Sequence, residues 1–214
     1  MVPILQAKEI TLRDLIVNLG LTIVEDDQFF WEWQSNLPEL TDLEKQLLDK
    51  VKAGYINLIN YPPLLEDIVR MAVLDPILFI GDFYLSPFHV KSEYPVEITT
   101  EDEGFIIRGK IDTLVLKDQL WVMVIESKQA QFSIEAGLAQ ILAYMLKNPN
   151  SSQPSFGMIT TGGSFIFLKL SQDSIPQYAL SDPFEVRKRG NDLYSVLKIL
   201  KRLTQLITNN EQKR

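Results

Sequence analysis

Asp112, Glu126 and Lys128 are charged residues in a stretch, GKIDTLVLKDQLWVMVIESK, that otherwise has the composition of a sheet interior. Buried charges are costly unless they are paired or bound to an ion. Side chains alternate along a strand, so Glu126 and Lys128 share a face with Val122 and Val124, and Ser127 faces away. If the residues flanking Lys117-Asp118-Gln119 pair as a hairpin, Asp112 falls within cross-strand or diagonal reach of Glu126. Two carboxylates so placed repel and raise one another's pKa unless a cation lies between them. A divalent ion held by Asp112, Glu126, a backbone carbonyl and waters would resolve the conflict, in the manner magnesium prefers. Lys128 would then orient an attacking water at a scissile phosphate and stabilise the added negative charge of the transition state. The expected chemistry is metal-dependent phosphodiester hydrolysis. The same spacing also allows a plain cross-strand ion pair between Asp112 and Lys128, with Glu126 at an exposed strand end.

The elements that must position these residues can be read from hydrophobic period. Lys91 to Thr100, Phe105 to Leu116 and Leu120 to Lys128 read as three strands, joined by the short loops Glu101-Asp102-Glu103-Gly104 and Lys117-Asp118-Gln119. Ser133 is expected to cap a helix through Ile134, Leu138, Ile141, Leu142 and Met145, ending before Pro149. Two further strands, Phe156 to Thr160 and Ser164 to Leu170, flank Thr161-Gly162-Gly163. Upstream, residues 1 to about 60 read as helical. Thr41-Asp42-Leu43-Glu44 is a capping box opening an amphipathic helix, and Phe29-Phe30-Trp31-Glu32-Trp33 is an aromatic cluster suited to packing. Pro62-Pro63 is expected to begin a helix that stops near Pro76, with Leu65, Ile68, Val69 and Ala72 buried and Glu66 at the margin of that face. The last helix, Asn191 to about Thr208, buries Leu193, Val196, Leu197, Leu200, Leu203 and Ile207, and turns Lys198, Lys201, Arg202 and Gln205 outward. The order predicts an α+β domain in which a fourth strand arrives after a helical crossover.

Gly109-x-x-Asp112, then Glu126-x-Lys128 at a strand end, then Gln140-x-x-x-Tyr144 on the next helix, resembles the PD-(D/E)XK nuclease superfamily. The Gly-x-x-Asp and Gln-x-x-x-Tyr elements are similar to those of its RecB-like branch. The turn Thr160-Thr161-Gly162-Gly163-Ser164-Phe165 is similar to one in the nuclease domain at the start of type I restriction-enzyme R subunits. The resemblance spans about residues 60 to 170. It implies a restriction-endonuclease-like αβββαβ core, a central mixed sheet flanked by helices, with extra N-terminal and C-terminal helices. It also implies roles: Asp112 and Glu126 as ligands of Mg2+ or Mn2+, Lys128 as the catalytic lysine, and Glu66, with Asp67 as its near alternative, completing the metal shell. By the same resemblance Gln140 and Tyr144, one helical turn apart, would steady the lysine, a water or a phosphate. The His that the RecB-like branch often carries upstream is not matched, because His89 lies at the first strand.

Composition narrows the field. The 214 residues include no Cys and one His, which excludes disulfides, Cys-based zinc sites and any site needing two imidazoles from one chain. A net charge of −7 argues against a protein that coats nucleic acid nonspecifically. The charge is uneven, since residues 185–214 hold eight Lys/Arg against three Asp/Glu. A basic C-terminal segment on an acidic body would meet phosphates through one face or serve as a solvated helix surface. With neither a signal peptide nor an apolar run long enough to span a bilayer, a cytoplasmic protein without membrane contact is expected. Taken together, the expectation is a single domain: a helical extension over 1–60, a nuclease core over 61–170 and a basic helix over 185–214. It would cut DNA as a magnesium-dependent restriction-type endonuclease without an organic cofactor. A homodimer built on the C-terminal helix would supply two sites for two strands. A catalytically silent module binding nucleic acid or a partner protein, and a repair or RNA nuclease, are the competing expectations.

Overall fold

The computed structural model of the chain describes residues 4–99, 106–118, 120–128, 137–173 and 175–211. Among these, nine strands make one mixed sheet. They are β1 (Ile4–Gln6), β2 (Thr22–Ile23), β3 (Phe88–Thr99), β4 (Ile106–Lys117), β5 (Leu120–Ser127), β6 (Ser155–Thr160), β7 (Ser164–Ser171), β8 (Gln177–Leu180) and β9 (Phe184–Glu185). The α-helices are α1 (Leu12–Leu19), α2 (Asp42–Leu58), α3 (Glu66–Val69), α4 (Asp75–Ile80), α5 (Leu138–Leu146) and α6 (Leu193–Glu211). The α+β class and the central strand order follow the sequence reading. β3, β4 and β5 form an antiparallel meander, and β6 joins β5 in parallel after α5 crosses over, as a parallel neighbour requires. In the turn between β4 and β5, Asp118 takes φ 54, a left-handed conformation that Asp tolerates better than most residues.

Residues alternate between two apolar clusters, one on each side of the sheet. Phe156, Met158, Phe165 and Phe167 pack with α2, α3, α4 and α6, whereas Ile159, Leu168 and Leu170 pack with α1 and α5. The capping box of α2 is formed in both directions, Glu44 N donating to Thr41 Oγ1 and Thr41 N donating to Glu44 Oε2. In α6 the expected apolar stripe is buried from Leu193 to Ile207. Its apolar face packs in the chain's own core.

Three expectations are corrected. The N-terminal 60 residues are not wholly helical, because β1 pairs with Ile106–Arg108 of β4 and β2 pairs with β8. Strands of two or three residues are too short to show an alternating pattern. The helix expected at Pro62-Pro63 starts at Glu66 and does not stop at Pro76. A π-helical stretch, Arg70–Leu74, leads without a break into α4, so the N–H that Pro76 lacks falls where the helix is already widened. Leu65 is consequently exposed, and Val73, Leu74, Ile77 and Leu78 take the core positions beside Val69. The Glu101–Gly104 loop, Phe105, Gln119 and the Ser133 cap lie outside the described residues.

Candidate active site

The β3–β4 hairpin changes its inner face at Asp112. On the turn side, Phe88, Val90 and Val115 pack in the cluster with α4 and α6; on the far side, Tyr94, Val96, Ile107 and Ile111 pack in the cluster with α5. Glu93, the residue between Ser92 and Tyr94, takes φ 51 at this switch. A left-handed non-glycine residue inside a strand stores strain of order 1–3 kcal/mol and marks a place where the backbone is re-aimed. The sheet also parts here. The β4–β5 ladder ends at Thr113↔Ile125, while β5 runs on against β6 to Ser127↔Thr160. β1 takes up β4 again only at Arg108. Gly109 to Asp112 thus border a gap in the sheet.

Side chains fill that gap. Asp112 Oδ2 accepts from Ser127 N at 2.7 Å, replacing the ladder bond lost where the strands separate. At the other end Tyr144, on α5, brings its hydroxyl to the β4 backbone, where the Lys110 N–H donates to it. Gly109 makes room: a Cβ there would stand 2.5 Å from Tyr144 Oη and 2.6 Å from Ala7 Cβ. Between them runs a continuous chain of contacts. Lys128 Nζ donates to Glu126 Oε1 at 2.6 Å and to Gln140 Oε1 at 3.0 Å, and Gln140 Nε2 donates to Tyr144 Oη at 3.0 Å. Asp112, Glu126, Lys128, Gln140 and Tyr144 are therefore brought together. The expected Asp112–Lys128 ion pair is not the one formed, since Lys128 pairs with Glu126 on its own strand.

The electrostatics are those of a site short of positive charge. Burial, then Asp112, push the Glu126 carboxyl well above its ordinary range, against the pull of Lys128. Burial, with Glu66 and Glu93, pushes Asp112 up to about 6, although Ser127 N–H and Lys128 act the other way. Burial would lower the Lys128 ammonium, but Glu126, Asp112 and Glu66 outweigh it and hold Lys128 more firmly protonated than usual. Burial and Glu126 raise the Tyr144 hydroxyl, which stays neutral. Glu126 is fully buried, and its Oε2 has no hydrogen-bond partner. An orphaned carboxylate oxygen beside a second carboxylate is the donor set a hard cation takes. Asp112 and Glu126 fit magnesium on that ground, with solvent completing the coordination. Among the described residues, no three Asp, Glu, His or Cys side chains close into a group able to hold a metal ion.

Glu66 opens α3 in the layer on the opposite face of the sheet and bears on Asp112, Glu126 and Lys128 by charge alone. Asp67 points to solvent beside Arg70, at 4.0 Å. His89 is exposed and paired across to Leu116, four residues along β4 from Asp112. Two residues outside the expected set support the lysine. Lys128 N donates to Thr160 O at 2.8 Å, and a Cβ on Gly137 would come within 3.3 Å of Lys128 Cε and 3.5 Å of Glu126 Cγ. A glycine ahead of a helix carries no chemistry of its own, so only its place after Glu126-x-Lys128 could have singled it out. The Gly162-Gly163 turn is required sterically, because Gly162 has φ 76 and Gly163 lies against the Tyr55 hydroxyl. In the basic C-terminal segment, Lys198 and Lys201 pair with Glu39 and Glu44, leaving Arg187 and Arg189 exposed.

No helix among the described residues is long and apolar enough to cross a membrane. Compared with models of protein families and with curated proteins, the chain matches none.

Proposed function

We propose that the chain is a PD-(D/E)XK-type nuclease that hydrolyses DNA phosphodiester bonds endonucleolytically, with magnesium or manganese held at Asp112 and Glu126. The observation that carries this reading is the fully buried Glu126 carboxylate, whose Oε2 is unpartnered beside Asp112 and whose Oε1 is held by Lys128. A site built only for stability would not place two carboxyls where burial raises both and Asp112 raises Glu126 further. Once bound, a divalent cation would neutralise phosphate charge and lower the pKa of an attacking water. Asp112 offers its carboxylate from β4 while keeping one oxygen on Ser127 N–H, which fixes its rotamer. Glu126 offers Oε2 from β5. Lys128 stays protonated and supplies N–H donors to a non-bridging phosphate oxygen, where negative charge grows in the transition state. Gln140 and Tyr144 act as positioning residues: the Tyr144 hydroxyl orients the Gln140 amide so that its oxygen faces Lys128. The closed Lys128–Glu126 pair also suits a silent module that binds nucleic acid without cutting it, and the two readings separate in one experiment.

Supercoiled plasmid, linear duplex, single-stranded DNA and RNA are incubated with the purified protein and magnesium, manganese or EDTA, beside Lys128→Ala and Asp112→Ala. Nicking or linearisation by the wild type, abolished by EDTA and reduced at least ~100-fold in both variants, is expected; a catalytic donor of this kind typically contributes 10²–10³-fold. Metal-dependent cutting that survives in both variants would overturn the site. Binding without cutting by the wild type would identify the silent module, and cutting of RNA alone would move the substrate from DNA to RNA.

A further inference from the structure

We infer that a cavity beside the candidate active site, formed by Arg70, Asp75, Tyr84, Val90, Ser92 and Thr113, binds the phosphate next to the scissile one on a nucleic-acid strand. The identity of the ligand rests on the proposed phosphodiester chemistry; the cavity does not. It encloses about 220 Å³ and lies on the α4 side of the β3–β4 hairpin. Ser92 and Thr113 are cross-strand partners. Each immediately precedes or follows a residue of the strand switch, Glu93 or Asp112, so the cavity adjoins the candidate metal ligand along the backbone. Arg70 stands about one helical turn after Glu66, whose charge reaches Asp112, Glu126 and Lys128.

The chemistry of the walls suits an oxyanion. Of the carboxylates near Arg70, Asp67 stands at 4.0 Å with its side chain 92% exposed, and Asp75 shares the cavity but is hydrogen-bonded to Tyr84. The Arg70 guanidinium therefore keeps N–H donors for a bidentate contact with phosphate oxygens. Ser92 and Thr113 also line the cavity, and a hydroxyl of this kind can donate one hydrogen bond. Asp75 would oppose an anion, but its Oδ1 accepts from the Tyr84 hydroxyl at 3.2 Å. Burial, then Asp75, raise that hydroxyl to about 12, so it stays protonated and bound to Asp75. A strand crossing the sheet gap would present one phosphate to Asp112, Glu126 and Lys128 and its neighbour to Arg70. No direct reading of bases is involved, so this contact sets position along the strand and not sequence.

The test uses full-length protein in EDTA, where a metal-dependent cut cannot proceed. Binding of fluorescein-labelled single-stranded and duplex DNA is followed by anisotropy from 50 to 200 mM salt. Arg70→Ala is expected to weaken binding about tenfold and to lower the slope of log K against log salt by about one phosphate's worth, 0.7 to 0.9. Arg70→Lys should keep the slope and lose part of the affinity, and Ser92→Ala, whose exposed side chain puts folding at little risk, should weaken binding less. In parallel, inorganic phosphate is titrated while the Arg70 Nε–Hε resonance is observed by NMR, and a saturable shift is expected. If phosphate moves that resonance but DNA is neither bound in EDTA nor bound or cut in magnesium, the cavity stands as a phosphate site and the nuclease reading falls. If DNA is bound but Arg70→Ala leaves affinity and slope unchanged, the cavity assignment is overturned and the nuclease reading survives. A resonance unmoved by phosphate also overturns it.

Discussion

The Asp112 carboxyl is held up to about 6, mainly by burial, whereas an unfolded Asp titrates near 3.8. A raised acid makes the folded chain hold its proton more tightly than the unfolded chain does. Stability in the absence of metal should therefore fall as pH rises from about 4 to about 6, by about 3 kcal/mol, and stay lower above that window. Asp112→Asn keeps an acceptor for Ser127 N–H and removes the charge. Its melting temperature should match the wild type near pH 4 and exceed it at pH 8, measured by calorimetry in EDTA, while calorimetric binding of magnesium is lost. Lys128→Ala should act in the opposite sense at neutral pH. It strands the buried Glu126 without a cation, at a cost of about 3 kcal/mol in urea unfolding at pH 8 that shrinks as pH falls and Glu126 takes up a proton. Asp112, Glu126 and Lys128 were legible because charged residues stand out in apolar strands. Their pairing was not, since alternation states which face a side chain takes and not which oxygen an ammonium chooses.

Elements, not residues, determine whether this group assembles. Tyr144 closes the gap in the sheet only because Gly109 lacks a side chain. Gly109→Ala drives a methyl into Tyr144 Oη and Ala7 Cβ, so a loss of about 1–3 kcal/mol is expected by chemical denaturation. In the double variant Gly109→Ala with Tyr144→Phe, removal of the hydroxyl should restore part of that loss, giving a coupling energy well outside additivity. Gly137→Ala should leave melting nearly unchanged but displace the Lys128 stem, lowering DNA cleavage about tenfold or more relative to a surface control such as Lys50→Ala. The Gly-x-x-Asp and Gln-x-x-x-Tyr spacings were readable in the sequence, yet the reason they occur together was not. It depends on β5 leaving β4 at Thr113, and a strand's point of departure has no local signature. β1 and β2 escaped for a related reason, being shorter than one full alternation.

Across the whole molecule, charge is divided between two uses. The basic face of α6 is drawn onto the N-terminal layer, with Lys198 on Glu39 and Lys201 on Glu44. Lys198→Ala, which removes an ion pair to the largely exposed Glu39, should therefore cost about 1 kcal/mol of stability and leave the salt dependence of DNA binding unaltered. Magnesium should raise the melting temperature of the wild type more at pH 8 than at pH 5, because its ligands must first release protons. The α2 helix was visible from period and its capping box, and α6 and the α5 crossover from period; the doubling of the N-terminal segment back onto both ends of the sheet was not, because long-range strand pairing leaves no trace in a short window. The break in β4 has a consequence for exchange with solvent. The Lys110 amide is protected by a phenol on a helix, whereas its neighbours in β4 are protected by strands. Its hydrogen should therefore exchange with deuterium at the rate at which α5 lifts from the sheet. One backbone proton would thus report how often the whole cluster comes apart.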